Sequence, residues 1–359
     1  MDYMDKYIQF YTGENRQAMF RVFYGFLDAL RIDDMTKLKT FITDDCIADF
    51  STVGHMEGKE QIGEGLRWPG PALDIRRSTI WNFVARSKAA LGQQSAYVQN
   101  IFALDDGKHV FPFVFGGQFC NTFRKEDGEW KISHIRFDLM YESGNNSFVR
   151  DKWKLMDYGI FYGHTPMINA ELDAPWYVIP EDEEPQSDAE QIFDLQWKKT
   201  FGIDGGDWHL TSSAVTDDMF QNFASHKNVN KYNPTQTDGD YHGKKDFNNF
   251  LKAKQHKEAR LQHTDSMADL VINGDHAVAY MFRSEFQRTK SRIYNRETIH
   301  ANVSTALHIM HCRREDGEWK ICKLSYIPVL EFKQLDDDCL TYDDYVCGGK
   351  KWAEIIAKW

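Results

Sequence analysis

The stretch RREDGEWKI, residues Arg313–Ile321, occurs almost unchanged as RKEDGEWKI at residues Arg124–Ile132. The two copies lie 189 residues apart in a chain of 359 residues and differ at one position, Arg314 against Lys125. A charged Asp-Gly pair followed by Trp-Lys-Ile is typical of a tight hairpin turn that enters a strand. The repeat therefore predicts one fold used twice, and it provides a register for comparing the two halves.

The remaining patterns occur in the same order in both halves. Residues 14–32 carry apolar side chains at helical spacing, and residues from about 79 to 137 are rich in aromatic and β-branched side chains. In the second half, Ser187 and Glu190 form a capping-box motif before another apolar helical stripe, and strand patterns follow from Val271. Helices followed by antiparallel strands predict an α+β fold for each unit.

The register also suggests the domain boundaries. The segment between the units ends in an acidic, proline-bearing run, Pro180–Pro185, which we interpret as a solvated linker. We assign the first domain to residues 1–145, the linker to residues 146–186, the second domain to residues 187–335 and a C-terminal tail to residues 336–359.

The composition narrows the classes of function. A chain with 42% hydrophobic and 14% aromatic residues is expected to be globular, and a net charge of -11 argues against nucleic acids and membrane surfaces as partners. The N-terminus lacks a signal-peptide pattern and no apolar run is long enough to span a membrane, so we expect a cytoplasmic location. The six cysteines form no Cys-x-x-Cys pair and are interpreted as reduced structural thiols.

Several of these features together resemble the nuclear-transport-factor-2-like superfamily. They are the helical start, the Asp207-Trp208 pair, a histidine in the strand Arg260-Leu261-Gln262-His263 and the Gly-x-Trp-Lys hairpin. The second unit is most similar to scytalone dehydratase and the SnoaL-like dehydratases and cyclases. The resemblance implies two cone-shaped domains, each with helices wrapped by a curved sheet around a deep apolar pocket. We expect the cones to form an intrachain pseudo-dimer, and further homo-oligomerisation stays open.

The resemblance also implies a catalytic pair, Asp204 and His263. A neutral imidazole can take a proton from carbon and return it to a leaving hydroxyl, while a carboxylate on its other nitrogen fixes the tautomer. A histidine in a strand is more often a core or surface residue, and an aspartate before two glycines is more often a turn residue, so the assignment depends on the family register. The first unit has Arg31 and, approximately, Trp81 at these positions. We therefore expect a degenerate first domain and a catalytic second one.

Three further positions are expected to bind substrate by the same resemblance, namely His308, Phe223 and Tyr326. His300, His308 and His311 all precede the second hairpin, and their alignment to the family's second histidine stays open. His300 and His308 lie an even number of residues apart and share a strand face that His311 does not, and we favour His308. The family's tyrosine before the catalytic aspartate is replaced by Ile203, which puts its role in doubt.

The sequence contains no recognised metal or cofactor motif. His-Glu-x-x-His and Gly-x-Gly-x-x-Gly are both absent, and Gly348-Gly349-Lys350 lacks the other residues of a phosphate loop. We therefore expect no metal and no cofactor.

The chain is predicted to be a cofactor-independent lyase, most simply a dehydratase, that acts on a hydrophobic cyclic or aromatic hydroxylated small molecule. An isomerase, a cyclase or a C–C lyase would use the same pair. The isomerase is less favoured, because the tyrosine and aspartate positions of the family's isomerase branch fall near Lys199 and Phe223. The alternative from another class is a non-catalytic small-molecule-binding or assembly module. Contact between Asp204 and His263 at a pocket wall would favour the enzyme.

Overall fold

A computed structural model describes residues 8, 10–68, 70, 72–144, 167–223, 240–251, 260–288 and 301–332. Within these residues, helices precede strands twice, and the strands form two six-stranded sheets. This arrangement confirms the predicted pair of tandem α+β domains. No helix in the described ranges is long and apolar enough to cross a membrane.

The first domain places a long helix, Glu14–Ile32, against a mixed sheet. The further helices are Met35–Leu38 and Gly58–Leu66, and the strands are β1 Ile42–Phe50, β2 Gly54–Glu57, β3 Ile75–Lys88, β4 Leu91–Asp105, β5 Val110–Glu126 and β6 Glu129–Gly144. The strand order is β2-β1-β6-β5-β4-β3, in which β1 runs parallel to β6 and the other neighbours are antiparallel.

The second domain repeats this topology. Its helices are Asp188–Gly205, Trp208–Ser213 and Gly243–Leu251, and its strands are β7 Val215–Phe223, β8 Asp240–His242, β9 Arg260–Asn273, β10 His276–Arg288, β11 Ala301–Glu315 and β12 Glu318–Phe332. Its strand order is β8-β7-β12-β11-β10-β9, and β7 runs parallel to β12. The repeated hairpin motif joins β5 to β6 and β11 to β12, as the sequence predicts.

Local sequence explains where the long helix of the second domain begins and ends. The Ser187 side chain accepts a hydrogen bond from the Glu190 amide, and the Glu190 side chain accepts one from the Ser187 amide, which completes the capping box. The helix stops at Gly206, which has a positive φ of 73°. Asp207 then caps the next helix by accepting from the amides of His209 and Leu210. These two helix ends place Asp204 in the last turn of the long helix.

The acidic run before the second domain is exposed at Glu181 and Glu183 but packs against the first domain through Asp182 and Glu184. Arg16, whose side chain is 1% exposed, donates to Asp182 Oδ2 at 2.8 Å and lies 3.3 Å from Glu190 Oε1. Glu184 Oε1 accepts from the Asn15 amide at 2.7 Å. A buried guanidinium requires nearby carboxylates, and the run provides them. A charge run in a sequence does not reveal such a distant partner.

The two domains contact each other through their sheets. The Asn82 side chain on β3 donates to the His263 carbonyl oxygen at 2.7 Å and accepts from the Asp265 amide at 2.8 Å. The rings of Tyr141 and Phe286 stack with centroids 4.3 Å apart. The first domain therefore holds the start of β9, the strand that carries His263.

Candidate active site

Asp204 and His263 contact each other in the interior of the second domain. Asp204 Oδ1 lies in hydrogen-bond contact with His263 Nδ1, and Asp204 Oδ2 accepts from the His263 amide at 3.0 Å. His263 is 2% exposed, and the Asp204 side chain is fully buried. Because both carboxylate oxygens of Asp204 contact His263, the imidazole ring is held in one orientation, and its Nε2 faces away from Asp204.

A second carboxylate, Glu285 on β10, faces the other ring nitrogen. Glu285 is the cross-strand partner of His263, and its Oε2 lies 3.4 Å from His263 Nε2. Burial and the nearby Arg283 lower the pKa of His263, but the contacts with Asp204 and Glu285 outweigh them and the pKa is raised above its usual value. The sequence did not single out Glu285, because only the strand pairing brings it to His263.

A first-domain residue completes the hydrogen bonding of Asp204. The Tyr97 hydroxyl donates to Asp204 Oδ2 at 2.8 Å, and Tyr97 is itself buried. Burial and the negative charge of Asp204 raise the pKa of Tyr97 well above its usual value, so the hydroxyl remains a donor. No sequence motif marks this contact, because it crosses from one domain to the other over 107 positions.

Further buried charges surround the pair. Lys199, Asp265 and Arg283 are each at most 5% exposed, and Asp265 accepts from Gln196 at 3.2 Å and from Thr200 at 2.9 Å. Burial and the charge of Arg283 lower the pKa of Lys199 to about 7. The described surroundings of the pair are thus strongly polar, whereas the family resemblance implied an apolar pocket.

The three expected substrate-binding positions lie together in the sheet register. His308 pairs with Tyr326, and Tyr326 pairs with Phe223. The His308 and Tyr326 rings have centroids 5.1 Å apart. Both residues are buried, and the Phe223 side chain lies outside the described part of the structure.

His308 is a buried imidazole with unused hydrogen-bonding capacity. Among the described residues neither of its ring nitrogens has a partner. Burial and the positive charges of Arg283 and Lys199 lower the pKa of His308 well below its usual value, so the ring is neutral. His311 is only partly buried, and His300 lies outside the described residues. Of the two histidines that the structure describes, His308 is the one near Arg283 and Lys199.

The strand registers identify the first-domain counterparts of this site. His263 and Ser78 both lie ten residues before the last residue of their strands, β9 and β3. The cross-strand pairs agree, since Asn100 pairs with Ser78 as Glu285 pairs with His263. Ser78 therefore occupies the position of His263.

The approximate assignment of Trp81 to that position was wrong. The β3–β4 hairpin turns at Ala89, a non-glycine residue with φ 56°, rather than at the nearby Gly92. Because Ala89 lies three residues before Gly92, a register anchored on that glycine is displaced by three residues, from Ser78 to Trp81. The assignment of Arg31 opposite Asp204 agrees with the structure, because each lies three residues before the capping aspartate of the following helix.

The first domain replaces the buried polar residues by apolar ones. In the same registers, the counterparts of Lys199, Asp265, Arg283, His308 and Tyr326 are Phe26, Ile80, Val98, Phe119 and Phe137. All five counterparts are buried. The fold therefore closes without buried charge at these positions, and the polar set of the second domain is not needed to form the sheet.

The described residues contain no group of three or more His, Cys, Asp or Glu side chains suited to hold a metal ion. The described cysteines, Cys46, Cys120, Cys312 and Cys322, are free thiols. Burial raises the pKa of Cys120, which keeps it a neutral thiol.

Comparison with known proteins gives one sequence match, to a family profile. The profile describes a SnoaL-like domain, and it matches the chain twice, at residues 14–136 and 185–325. No curated protein matches the chain.

Solved structures with a similar fold each cover about one domain. A protein provisionally named scytalone dehydratase from Novosphingobium aromaticivorans is 16% identical over 35% of this chain and 85% of its own, with a TM-score of 0.32. A type 2 hexachlorocyclohexane dehydrochlorinase (LinA) is 16% identical over 36% of this chain and 87% of its own, also with a TM-score of 0.32. An NTF2-like protein with a cystatin-like fold from Novosphingobium aromaticivorans is 15% identical over 40% of this chain and 82% of its own, with a TM-score of 0.32. Likenesses of this size carry no information on the reaction.

Proposed function

We propose, because this chain belongs to the SnoaL-like domain family, that its second domain is a cofactor-independent lyase that removes water from a hydroxylated small molecule. The family includes dehydratases and lyases. The observation that carries the proposal is the contact between the Asp204 carboxylate and His263 Nδ1 inside the second domain. A filled cone with these residues apart would have favoured a binding module instead.

In the proposed reaction, His263 acts through Nε2, the ring nitrogen that Asp204 does not contact. As a neutral base, Nε2 takes a proton from the carbon next to the carbon that bears the hydroxyl. Asp204 stabilises the imidazolium that forms, and the same proton then passes to the departing hydroxyl, which leaves as water. The proton count is balanced, so no cofactor is required for this step.

The buried cations suggest where the substrate oxygen lies. Lys199 and Arg283 are close enough to shift the pKa of His308, and Arg283 also acts on His263. Arg283 Nε and both His308 nitrogens have no partner among the described residues. An oxygen on the substrate that gains negative charge during proton removal would be stabilised by these groups. We therefore infer a cyclic or aromatic substrate that carries a hydroxyl and a second oxygen substituent.

The test is a screen of hydroxylated aromatic and alicyclic ketones, including steroids, for loss of water. We expect turnover by the full chain and a loss of about 10²–10⁴-fold in the His263→Ala variant, the range for a general acid or base. His276→Ala is the matched control, because His276 is an exposed histidine at the far end of the same hairpin. Full activity in His263→Ala would contradict the proposed pair.

Two other outcomes would favour a different function. If no compound is turned over but several bind in a way that His263→Ala does not alter, the second domain is a binding module. If a ketone is isomerised without loss of water, and His263→Ala abolishes this, the pair is retained and the reaction is a proton shuttle.

A further inference from the structure

A short segment that follows the first domain recurs at the end of the chain. Residues 170–176 read AELDAPW and residues 353–359 read AEIIAKW, so four of the seven positions are identical. The last tryptophan of each copy follows the tryptophan of the repeated hairpin, by 46 residues in the first half and by 40 in the second. Because the hairpins mark equivalent points of the two domains, the two copies stand at nearly equivalent places.

The first copy covers the face of the first sheet that points away from the core of its domain, here called the outer face. The Asp173 carbonyl oxygen accepts from the Gln93 side chain on β4 at 2.8 Å, and Asp173 Oδ1 lies 3.3 Å from the Arg136 guanidinium on β6. Cys120, on the strand between them, is fully buried, and burial together with the negative charge of Asp173 raises its pKa. One short segment therefore covers three strands.

The positions that the two copies share are mostly those that the first copy buries. Three of the four shared residues are at most 7% exposed in the first copy, namely Ala170, Ala174 and Trp176. Leu172, which is not shared, is 73% exposed. Pro175 is buried and becomes Lys358, a residue that can keep its ammonium in water while its stem packs. The second copy has thus kept the residues with which the first copy makes contacts.

The outer face of the second sheet is apolar and more exposed than that of the first. The strand registers give the counterparts of Gln93, Cys120 and Arg136, which are, in that order, Val278, Ile309 and Ser325. These three counterparts are only partly buried, and Phe282 on the same face is 56% exposed. An apolar sheet face with an exposed aromatic side chain indicates a surface that another element covers.

The chemistry of the segment changes together with that of the face. Asp173 of the first copy corresponds to Ile356 of the second, and its partner Arg136 corresponds to Ser325. A buried carboxylate requires a compensating charge, which Ser325 and Val278 do not provide. An isoleucine at this position would instead bury apolar surface against Val278. The second copy therefore fits the second sheet better than the first copy would.

The chain between the second sheet and the second copy is long enough to return to this face. β12 ends at Phe332, and 20 residues lie between it and Ala353, outside the described part of the structure. An extended chain of that length spans about 65 Å, whereas Ser325, seven residues before the end of β12, lies only about 24 Å back along the strand. In the first domain the corresponding connection, from Gly144 to Ala170, has 25 residues.

We propose that residues 353–359 dock on the outer face of the second sheet, in the register in which residues 170–176 dock on the first. Ile356 packs on Val278 and Ile309, and Ile355 faces solvent as its counterpart Leu172 does. The helix that contains Trp176 contacts β3 and β4, so Trp359 lies over the corresponding strands β9 and β10. The end of the chain thus covers the second domain as the segment between the domains covers the first.

The test measures how accessible a thiol is beneath the proposed segment. Ile309→Cys introduces a thiol at the position that Cys120 occupies in the first domain, and its alkylation by iodoacetamide in the full chain is followed by mass spectrometry. We expect alkylation to be at least about tenfold slower than in the same protein that also carries Ile356→Asp. Burying an unpaired carboxylate costs more than the roughly 1.4 kcal/mol that a factor of ten represents, so Ile356→Asp should release the segment.

Ile355→Asp is the matched control, because it adds the same charge at the neighbouring position that faces solvent, and it should leave the protection unchanged. Removal of residues 353–359 should abolish the protection, while the native Cys120 thiol stays protected in every variant. Rapid alkylation in the full chain, equal rates in Ile355→Asp and Ile356→Asp, or protection that survives removal of residues 353–359 would overturn the proposal. Protection that appears only when the chain concentration is raised would assign this face to a second copy of the chain and would also overturn it.

Discussion

At the scale of single residues, the His263 imidazole lies between two carboxylates, and only one of them is needed to orient it. Asp204 contacts Nδ1, whereas Glu285 lies 3.4 Å from Nε2, the nitrogen assigned to proton transfer. Because the pKa of His263 is raised, its base form becomes populated at a higher pH than that of an ordinary imidazole. Glu285→Gln removes a charge that favours the imidazolium, so we expect the acidic limb of the rate profile to move to lower pH.

The measurement for this variant is kcat/KM against pH. Glu315→Gln is the matched control, because Glu315 lies in the surface hairpin of the same domain and pairs with Arg313. A limb that stays in place in Glu285→Gln would show that Glu285 does not set the protonation of His263.

Tyr97 acts on the pair from the other domain. Tyr97→Phe removes one of the two donors to Asp204 Oδ2 and leaves only the His263 amide there, so the carboxylate is oriented less firmly. We expect kcat to fall by about 10-fold to 100-fold with KM little changed, because Tyr97 contacts Asp204 and not the substrate. Tyr141→Phe is the control, since Tyr141 is a buried tyrosine of the same interface and its hydroxyl accepts from Gln99. Equal losses in both variants would indicate a general interface effect.

At the scale of elements, the two long helices differ in one buried face. Lys199 of helix Asp188–Gly205 corresponds to Phe26 of helix Glu14–Ile32, and both are buried. The first domain shows that an apolar side chain fits this position. We therefore expect Lys199→Met to stabilise the folded chain, by up to about 4 kcal/mol, and to impair turnover.

The stabilisation should depend on pH in a definite direction. The pKa of Lys199 is lowered to about 7 in the folded chain, so its charged form is disfavoured by folding. Its burial is most costly below that pH, and the cost decreases as the pH rises toward the usual lysine value. Urea unfolding at about pH 6 and about pH 9 should show a larger gain for Lys199→Met at the lower pH. The exposed Lys245→Met variant should show none.

The elements also show what the sequence could predict. The two Asp-Gly hairpins of the repeat and the capping box at Ser187 depend on neighbouring residues, and the sequence predicted both. The placement of Asp204 and His263 required the family resemblance, because 59 residues separate them. Glu285 and Arg283 were missed because strand pairing alone brings them to the site, and Ser78 was missed because its hairpin turns at Ala89 without a glycine signal.

At the scale of the whole molecule, the candidate active site spans both domains. Tyr97 donates to Asp204, Asn82 bridges the His263 carbonyl oxygen and the Asp265 amide, and Gln262 donates to the Gly117 carbonyl oxygen at 3.3 Å. The first domain has Arg31 and Ser78 in place of Asp204 and His263, yet its β3 and β5 hold the strand that carries His263, and Tyr97 on β4 holds Asp204. The second domain is therefore expected to depend on the first for its rate.

Separating the halves tests this dependence. Residues 187–359 alone lack Tyr97 and Asn82, so we expect them to turn over substrate at least about 10-fold more slowly than the full chain. Adding residues 1–186 in trans should restore most of the rate, because the interface is made of defined hydrogen bonds and the stacked pair Tyr141 and Phe286. Residues 1–186 that carry Tyr97→Phe should bind residues 187–359 equally well but restore less of the rate. This difference separates assembly of the two halves from orientation of Asp204. Full activity of residues 187–359 alone would show that the contacts from the first domain serve stability only.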